Sequence, residues 1–224
     1  MGLMESRLFR HLPFVVFLVL IGSLITFGFS IIYLTVAEHA RGDYFYLETE
    51  CLELEFHRGW WVSRWVTENE SGVVYHVALY NVSAYLNGLM IGVSIIVYDE
   101  NAARDYMERN GLTDTYSALV FEAERWYRYM KIENENATLR FVENGTILVS
   151  GFEARYLTMK VEKGYRDRDG NVHNWTTMFI SWMRNGMLHY IAFYGVEEGW
   201  SQPKTQEIFN HLLETLRYKR GWGT

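Results

Sequence analysis

The chain has 224 residues, a net charge of −6 and 17% aromatic residues. That acidic balance argues against a nucleic-acid partner, whose phosphates would repel it. The single cysteine, Cys51, excludes an internal disulfide, so an exported domain must be held by its core, and the aromatic content is enough for a large one.

In chain order, a short head (1–12) carries Arg7, Arg10 and His11 against one acid, Glu5. Residues 13–37, PFVVFLVLIGSLITFGFSIIYLTVA, contain no charge. A helix needs roughly 20 apolar residues to cross the hydrocarbon core, so this segment is predicted to be a transmembrane anchor in contact with the lipid bilayer. It is longer than the apolar core of a cleaved signal peptide, and Ala37-Glu-His-Ala40 does not match the cleavage pattern. The positive-inside bias puts the head in the cytoplasm and everything after about Glu38 outside the cell membrane. One domain is expected over 44–218, followed by a tail at 219–224. Proline occurs only at Pro13 and Pro203, which leaves no proline-rich hinge.

Leu52, Leu54 and Phe56 alternate with Glu53 and Glu55, the period of a half-buried strand. Cys51 heads this run and reads as a buried strand residue, with an intermolecular bridge as the alternative. Strands follow at 60–66, 73–80 and 89–98. Asp99 is a candidate N-cap for a short helix ended by Asn110-Gly111. Tyr116, Leu119, Val120, Ala123, Tyr127 and Met130 recur at helical spacing and predict a helix over 114–131. Asn144-Gly145 reads as a hairpin tip between strands at 139–142 and 146–149. Strands at 152–162 and 175–184 flank the polar loop with Asp169-Gly170. Asn185-Gly186 is a second hairpin turn, leading into 188–194. A last helix buries Ile208, Phe209, Leu212, Leu213 and Leu216, with Ser201 as its N-cap and Pro203 in the first turn. In the 175–194 hairpin both alternation phases are apolar, which requires cover on both faces. The fold class expected is α+β: one antiparallel sheet with helices on both faces.

Five Asn-x-Ser/Thr triplets start at Asn69, Asn81, Asn136, Asn144 and Asn174. All lie on the outer side of the predicted anchor and fall in breaks or at strand ends. They are the candidate glycosylation sites of a cell-surface glycoprotein. Only two glutamines, Gln202 and Gln206, and one cysteine fit a heat-adapted source, and with external glycosylation an archaeal one.

The order of elements resembles the PsbP-like superfamily, the group of the photosystem II extrinsic protein and LpqN-type lipoproteins. The likeness rests on an opening strand and Gly-Trp element (Leu54 to Trp60), strands into a short helix (Val97 to Ala103) and a Gly-x-x-Ala strand (Gly151 to Ala154). A final hairpin and a terminal helix ending Leu212-Leu-Glu-Thr-Leu-Arg-Tyr218 complete it. His57-Arg58 stands where that pattern has a proline, and the 114–131 helix is an enlargement. The resemblance implies an α-β-α sandwich and a binding or assembly role, usually without catalysis.

Motifs for chemistry are sparse. His57, His76, His173 and His189 show no zinc-binding spacing, and His76 and His189 read as satisfied sheet residues. No nucleophile elbow or phosphate loop is present, and Cys51 has no partner for a nucleophilic pair. Asp167-x-Asp169-Gly170-Asn171 resembles half of a calcium loop without its downstream glutamate and reads as a charged hairpin tip. Trp126-Tyr127-x-Tyr129 is either a ligand wall or a helix face packed on the sheet. No catalytic residue, cofactor or metal is expected. The reading is a membrane-tethered extracytoplasmic binding or assembly module with a protein partner at the cell surface. A pilin- or archaellum-associated surface subunit and a cell-surface hydrolase stay open as alternatives.

Overall fold

A computed structural model of the chain describes residues 42–219. The expected head, anchor and most of the tail lie outside the described residues. Among the described residues no helix is long and apolar enough to cross a membrane. The chain divides into two compact units, Met1–Leu47 and Glu48–Thr224. The first carries strand β1 (Tyr44–Glu48), whose last residue opens the second.

The second unit is built on a seven-stranded sheet in the order β3-β4-β5-β9-β8-β7-β6, antiparallel at every pairing. Its strands are β3 (Trp60–Asn69), β4 (Gly72–Asn81), β5 (Ile91–Tyr98), β6 (Thr138–Val149), β7 (Phe152–Arg166), β8 (Val172–Arg184) and β9 (Met187–Val196). Every residue of β9 is buried, as its two apolar phases require. On one face Tyr190, Ala192 and Tyr194 join Leu157, Met159 and Phe179 beneath Leu119 and Ala123 of helix α3 (Thr115–Glu133). Tyr106 of helix α2 (Glu100–Arg109) stacks on Tyr98 at 5.0 Å on that same face. On the other face Phe193 meets Phe209 of helix α5 (Pro203–Thr215), ring centroids 4.5 Å apart. Helices therefore cover both faces.

A second, small sheet was not anticipated. Strand β2 (Leu52–His57) pairs with the two-residue β10 (Arg217–Tyr218), and β2 packs on α5 with Leu52, Leu54 and Phe56 buried. Cys51 lies just before β2 rather than within it. Burial pushes its thiol up to about 11, so it is neutral at physiological pH and poorly placed for an intermolecular bridge.

Local chemistry sets the boundaries. Asp99 caps α2 through Ala102 N at 2.8 Å, and Asp114 with Ser117 forms a capping box on α3. Asn185 (φ 51) and Gly186 (φ 78) make the β8–β9 turn. Asn144-Gly145, in contrast, is not a turn. β6 runs unbroken through it, with Asn144 opposite Leu157 and Gly145 opposite Tyr156. The Tyr156 ring lies over Gly145, where a Cβ would sit 2.9 Å from it, and its hydroxyl donates to Glu143 at 2.8 Å. The turn falls instead at Ser150 (φ 51) and Gly151 (φ 81), where Ser150 Oγ donates to the Leu216 carbonyl. Ser201 is not the cap of α5. Gln202 occupies that position with no side-chain cap, Pro203 opens the helix, and Ser201 Oγ donates to Glu197 O of the short helix α4 (Glu197–Trp200).

Candidate binding groove

The sheet registers align one row of residues across four strands: Trp61 beside Tyr80, Tyr80 beside Gly92, and Gly92 beside Tyr194. These share the face covered by α3, but α3 packs on β7 and β8 and leaves the β3–β4 end of the row open. Gly92 is the reason the row is concave. A Cβ there would lie 2.8 Å from the Tyr194 ring, so only glycine lets that ring lie across β5. Trp175 stacks on Tyr194 at 5.8 Å, and Trp126 of α3 closes on it at 5.1 Å.

The outer wall is helix α1 (Val82–Leu86), which the sequence did not disclose. Asn81 caps it through Ala84 N at 2.9 Å, and Gly88 (φ 75) ends the loop behind it. None of its residues is buried; Tyr85 is 51% and Leu86 71% exposed. Arg168 of the β7–β8 loop lies over the Tyr85 ring at 4.5 Å, and Tyr165 OH donates to Gly88 O at 3.0 Å. A helix with no buried residue adds little to the core; its effect is to raise an aromatic wall. The hollow lined by Trp61, Ser63, Tyr80, Val82, Tyr85 and Met90 measures about 520 Å³. Tyr80 and Met90 also border a second hollow of about 300 Å³, with Trp126, Tyr129, Met130, Trp175 and Tyr194. Together they form one open aromatic groove of the size ligand clefts have. Trp61 (53%) and Tyr129 (64%) stand exposed at its two rims.

Trp126-Tyr127-x-Tyr129 packs on the sheet and also borders the hollow. Trp126 packs edge-on to Phe179 at 5.6 Å, Tyr127 OH donates to Ala137 O at 3.1 Å, and Tyr129 faces the groove.

Four polar or titratable sites lie elsewhere. Glu122 of α3, 3% exposed, accepts from Tyr106 OH at 2.6 Å. Arg125 Nη2 approaches its other oxygen to 2.6 Å, a close ion pair that is misaligned for a hydrogen bond. Burial raises the Glu122 carboxyl above its ordinary range, opposed by Tyr106 and Arg125. On the opposite face His189, 1% exposed, stacks on Trp182 at 4.9 Å beneath Tyr218, and neither ring nitrogen has a hydrogen-bond partner. The expectation of a satisfied His189 is thus corrected: its neighbours are rings, and burial pushes its pKa down to about 3. His76 is satisfied, with Nε2 2.5 Å from Ser94 Oγ, and burial lowers it to about 4. The β7–β8 tip is closed on itself. Asp167 accepts from the backbone of Asp169 and Asn171, and from the Asn171 and His173 side chains, at 2.8–3.0 Å. The His173 contact leads in holding its carboxyl down to about 2. Among the described residues no group of three His, Cys, Asp or Glu is placed to hold a metal.

The five asparagines differ in setting. Asn69 ends β3, its Oδ1 accepting from Ser71 N at 2.8 Å. Asn81 ends β4 opposite Trp60. Asn136 is exposed two residues before β6. Asn144 is exposed in the middle of β6, not at a break. Asn174 lies inside β8, bonded to Lys163 N at 3.1 Å and Glu197 at 3.2 Å, and its partner Thr176 is 1% exposed.

No protein-family model matches this chain, and no curated protein matches it. Solved structures similar to it include the cyanobacterial PsbP (CyanoP) of Synechocystis sp. PCC 6803, at 13% identity and a TM-score of 0.46, covering 80% of this chain and 95% of that one. A protein of Bacteroides thetaiotaomicron VPI-5482 is similar at 11% identity and a TM-score of 0.39, over 81% of this chain and 50% of that one. LpqN of Mycobacterium tuberculosis, described as involved in cell envelope biogenesis, is similar at 10% identity and a TM-score of 0.41, over 75% of this chain and 83% of that one.

Proposed function

We propose that this chain is a non-catalytic binding module, carried outside the cell membrane by its 13–37 segment, and that it seats a partner in the aromatic groove. The observation that carries this reading is the groove itself. A five-residue helix without a buried residue, a glycine that clears its floor, and exposed Trp61, Tyr85 and Tyr129 present aromatic surface where a monomer would ordinarily hide it. The lining is mainly ring and thioether surface, with Ser63 and Val82 beside it, suited to hold a partner through desolvated contact, and aromatic anchors of this kind dominate binding energies. The tether rests on the charge-free 13–37 run and the basic head.

Protease added to intact cells should release the domain and leave the head protected; a protected domain would overturn the topology. Photocrosslinking from position 85 in intact cells should yield a discrete adduct that Gly92→Ala weakens, because the added methyl would meet both the Tyr194 ring and the Leu79 carbonyl at 2.8 Å and the groove floor must shift. Adducts indifferent to that substitution would overturn the groove.

A further inference from the structure

The strand order gives the candidate glycosylation sites a meaning that their sequence positions did not. β3 and β6 are the two edges of the seven-stranded sheet. Asn69 ends edge strand β3, and Asn81 stands opposite its first residue, Trp60. Asn136 precedes the other edge strand, β6, and Asn144 lies in its middle. The fifth acceptor, Asn174, is itself exposed but lies on interior strand β8, its side chain hydrogen-bonded and its threonine buried. Three acceptors, Asn69, Asn136 and Asn144, thus sit at the edges, while Asn81 ends interior strand β4 with its side chain capping α1, and Asn174 lies in interior strand β8.

An open edge is a template for pairing with another chain, and proteins blunt it with lysine, proline, bulges or charge. β6 is 12 residues long and exposes Phe141, Val142 and Leu148. Its first half is protected by Arg140, Glu143 and a bulge between Phe141 and Glu143. Its second half, Asn144-Gly-Thr-Ile-Leu-Val149, has no charge, no proline and no bulge. Asn144 opens that half, with Asn144 and Thr146 both exposed.

We propose that a glycan on Asn144 caps the β6 edge and keeps copies of this chain from pairing through it. The proposal rests on the extracytoplasmic reading above. The donor is a polyprenyl-phosphate-linked oligosaccharide. The Asn144 amide nitrogen bonds to the sugar C1 as the C1–O–P bond breaks, and one amide proton leaves with the lipid phosphate. The bulky, hydrated sugar then occupies the space an incoming strand would need. Asn136 adds a second sugar at the start of the same strand.

The test uses the full chain in membranes of a host that glycosylates Asn-x-Ser/Thr. Three variants are compared with the wild type: Thr146→Ala removes the acceptor and keeps Asn144, Asn174→Gln is the off-edge control, and Asn144→Lys removes the sugar but adds an edge charge. Glycopeptide mapping is followed by chemical crosslinking between copies. The expected result is sugar on Asn144 of the wild type, and a several-fold rise in crosslinked dimer for Thr146→Ala. Asn174→Gln should show no rise, and Asn144→Lys a rise smaller than that of Thr146→Ala. An unmodified Asn144 beside sugar on other acceptors overturns the edge cap and leaves the topology standing. So does a Thr146→Ala variant that has lost the sugar and stays monomeric. A domain that protease cannot reach in intact cells overturns the topology and the cap together.

Discussion

His189 offers a quantitative check on the packing between the sheet and β10. Its ring is stacked at an interplanar angle of 6° on Trp182, is edge-on to Tyr218, and has no partner for either nitrogen. A charged imidazolium there would be desolvated with nothing to compensate it, so the folded pKa falls from 6.5 to about 3. Below pH 6.5 the unfolded chain takes up a proton that the folded protein refuses, and stability is therefore lost as pH falls, until the loss levels off near pH 3. At about 1.36 kcal/mol per pH unit, the loss between pH 8 and pH 5 is about 2 kcal/mol from this residue. His76, lowered by burial to about 4, acts in the same sense and is unaltered in a His189 variant, so it cancels when the two chains are compared. His189→Phe preserves the stacked shape and removes both nitrogens. Urea unfolding of the purified full chain in detergent, followed by tryptophan fluorescence from pH 8 to pH 5, should give diverging profiles. The variant should gain about 2 kcal/mol over the wild type at pH 5 relative to pH 8. Parallel profiles would refute the reasoning, since they would mean His189 titrates alike in folded and unfolded chains.

Leu212→Ala, at a position 2% exposed between α5 and the sheet, should cost about 2–5 kcal/mol, read as a lowered urea midpoint at constant slope. Glu122→Ala leaves Tyr106 OH without its acceptor and should cost about 1–3 kcal/mol, the Arg125 end being relieved by water. Asn144→Gln should change stability by less than about 0.5 kcal/mol, as an exposed strand position. Asn185→Ala, where φ is 51, should cost about 1–2 kcal/mol in the same melts. At the β7–β8 tip Asp167 is lowered and His173 raised, chiefly by each other. The tip's local protection against hydrogen exchange should therefore fall as pH drops below about 4 toward 2, and fall again as pH rises through the raised His173 value.

The strands and helices that obey a period were legible in the sequence. The alternation of Leu52, Leu54 and Phe56, the α3 stripe, and the Asn185-Gly186 turn all depend on neighbours a few residues apart. What was illegible depends on partners far away in the chain. Asn144-Gly145 carries a turn dipeptide, yet Tyr156 across the ladder covers the glycine and makes it a strand residue. Val82–Leu86 is too short to show a helical period, and its cap, Asn81, also reads as the end of a strand. The candidate groove was half visible. Trp126 and Tyr129 stand together in the sequence as an aromatic cluster, but Trp61, Tyr80, Gly92 and Tyr194 become one row only through three successive pairings. The unpartnered nitrogens of His189 likewise follow from Trp182 and Tyr218 closing over it, which no spacing announces.

The groove is the central claim, and photocrosslinking in intact cells tests it most directly. A photoreactive side chain is placed in turn at positions 61, 85 and 129, around the groove, and at the exposed positions 124 and 162, away from it. The expected result is the same discrete adduct from all three groove positions and none from the other two. Adducts of equal yield from all five positions, or from 124 and 162 alone, would contradict the account.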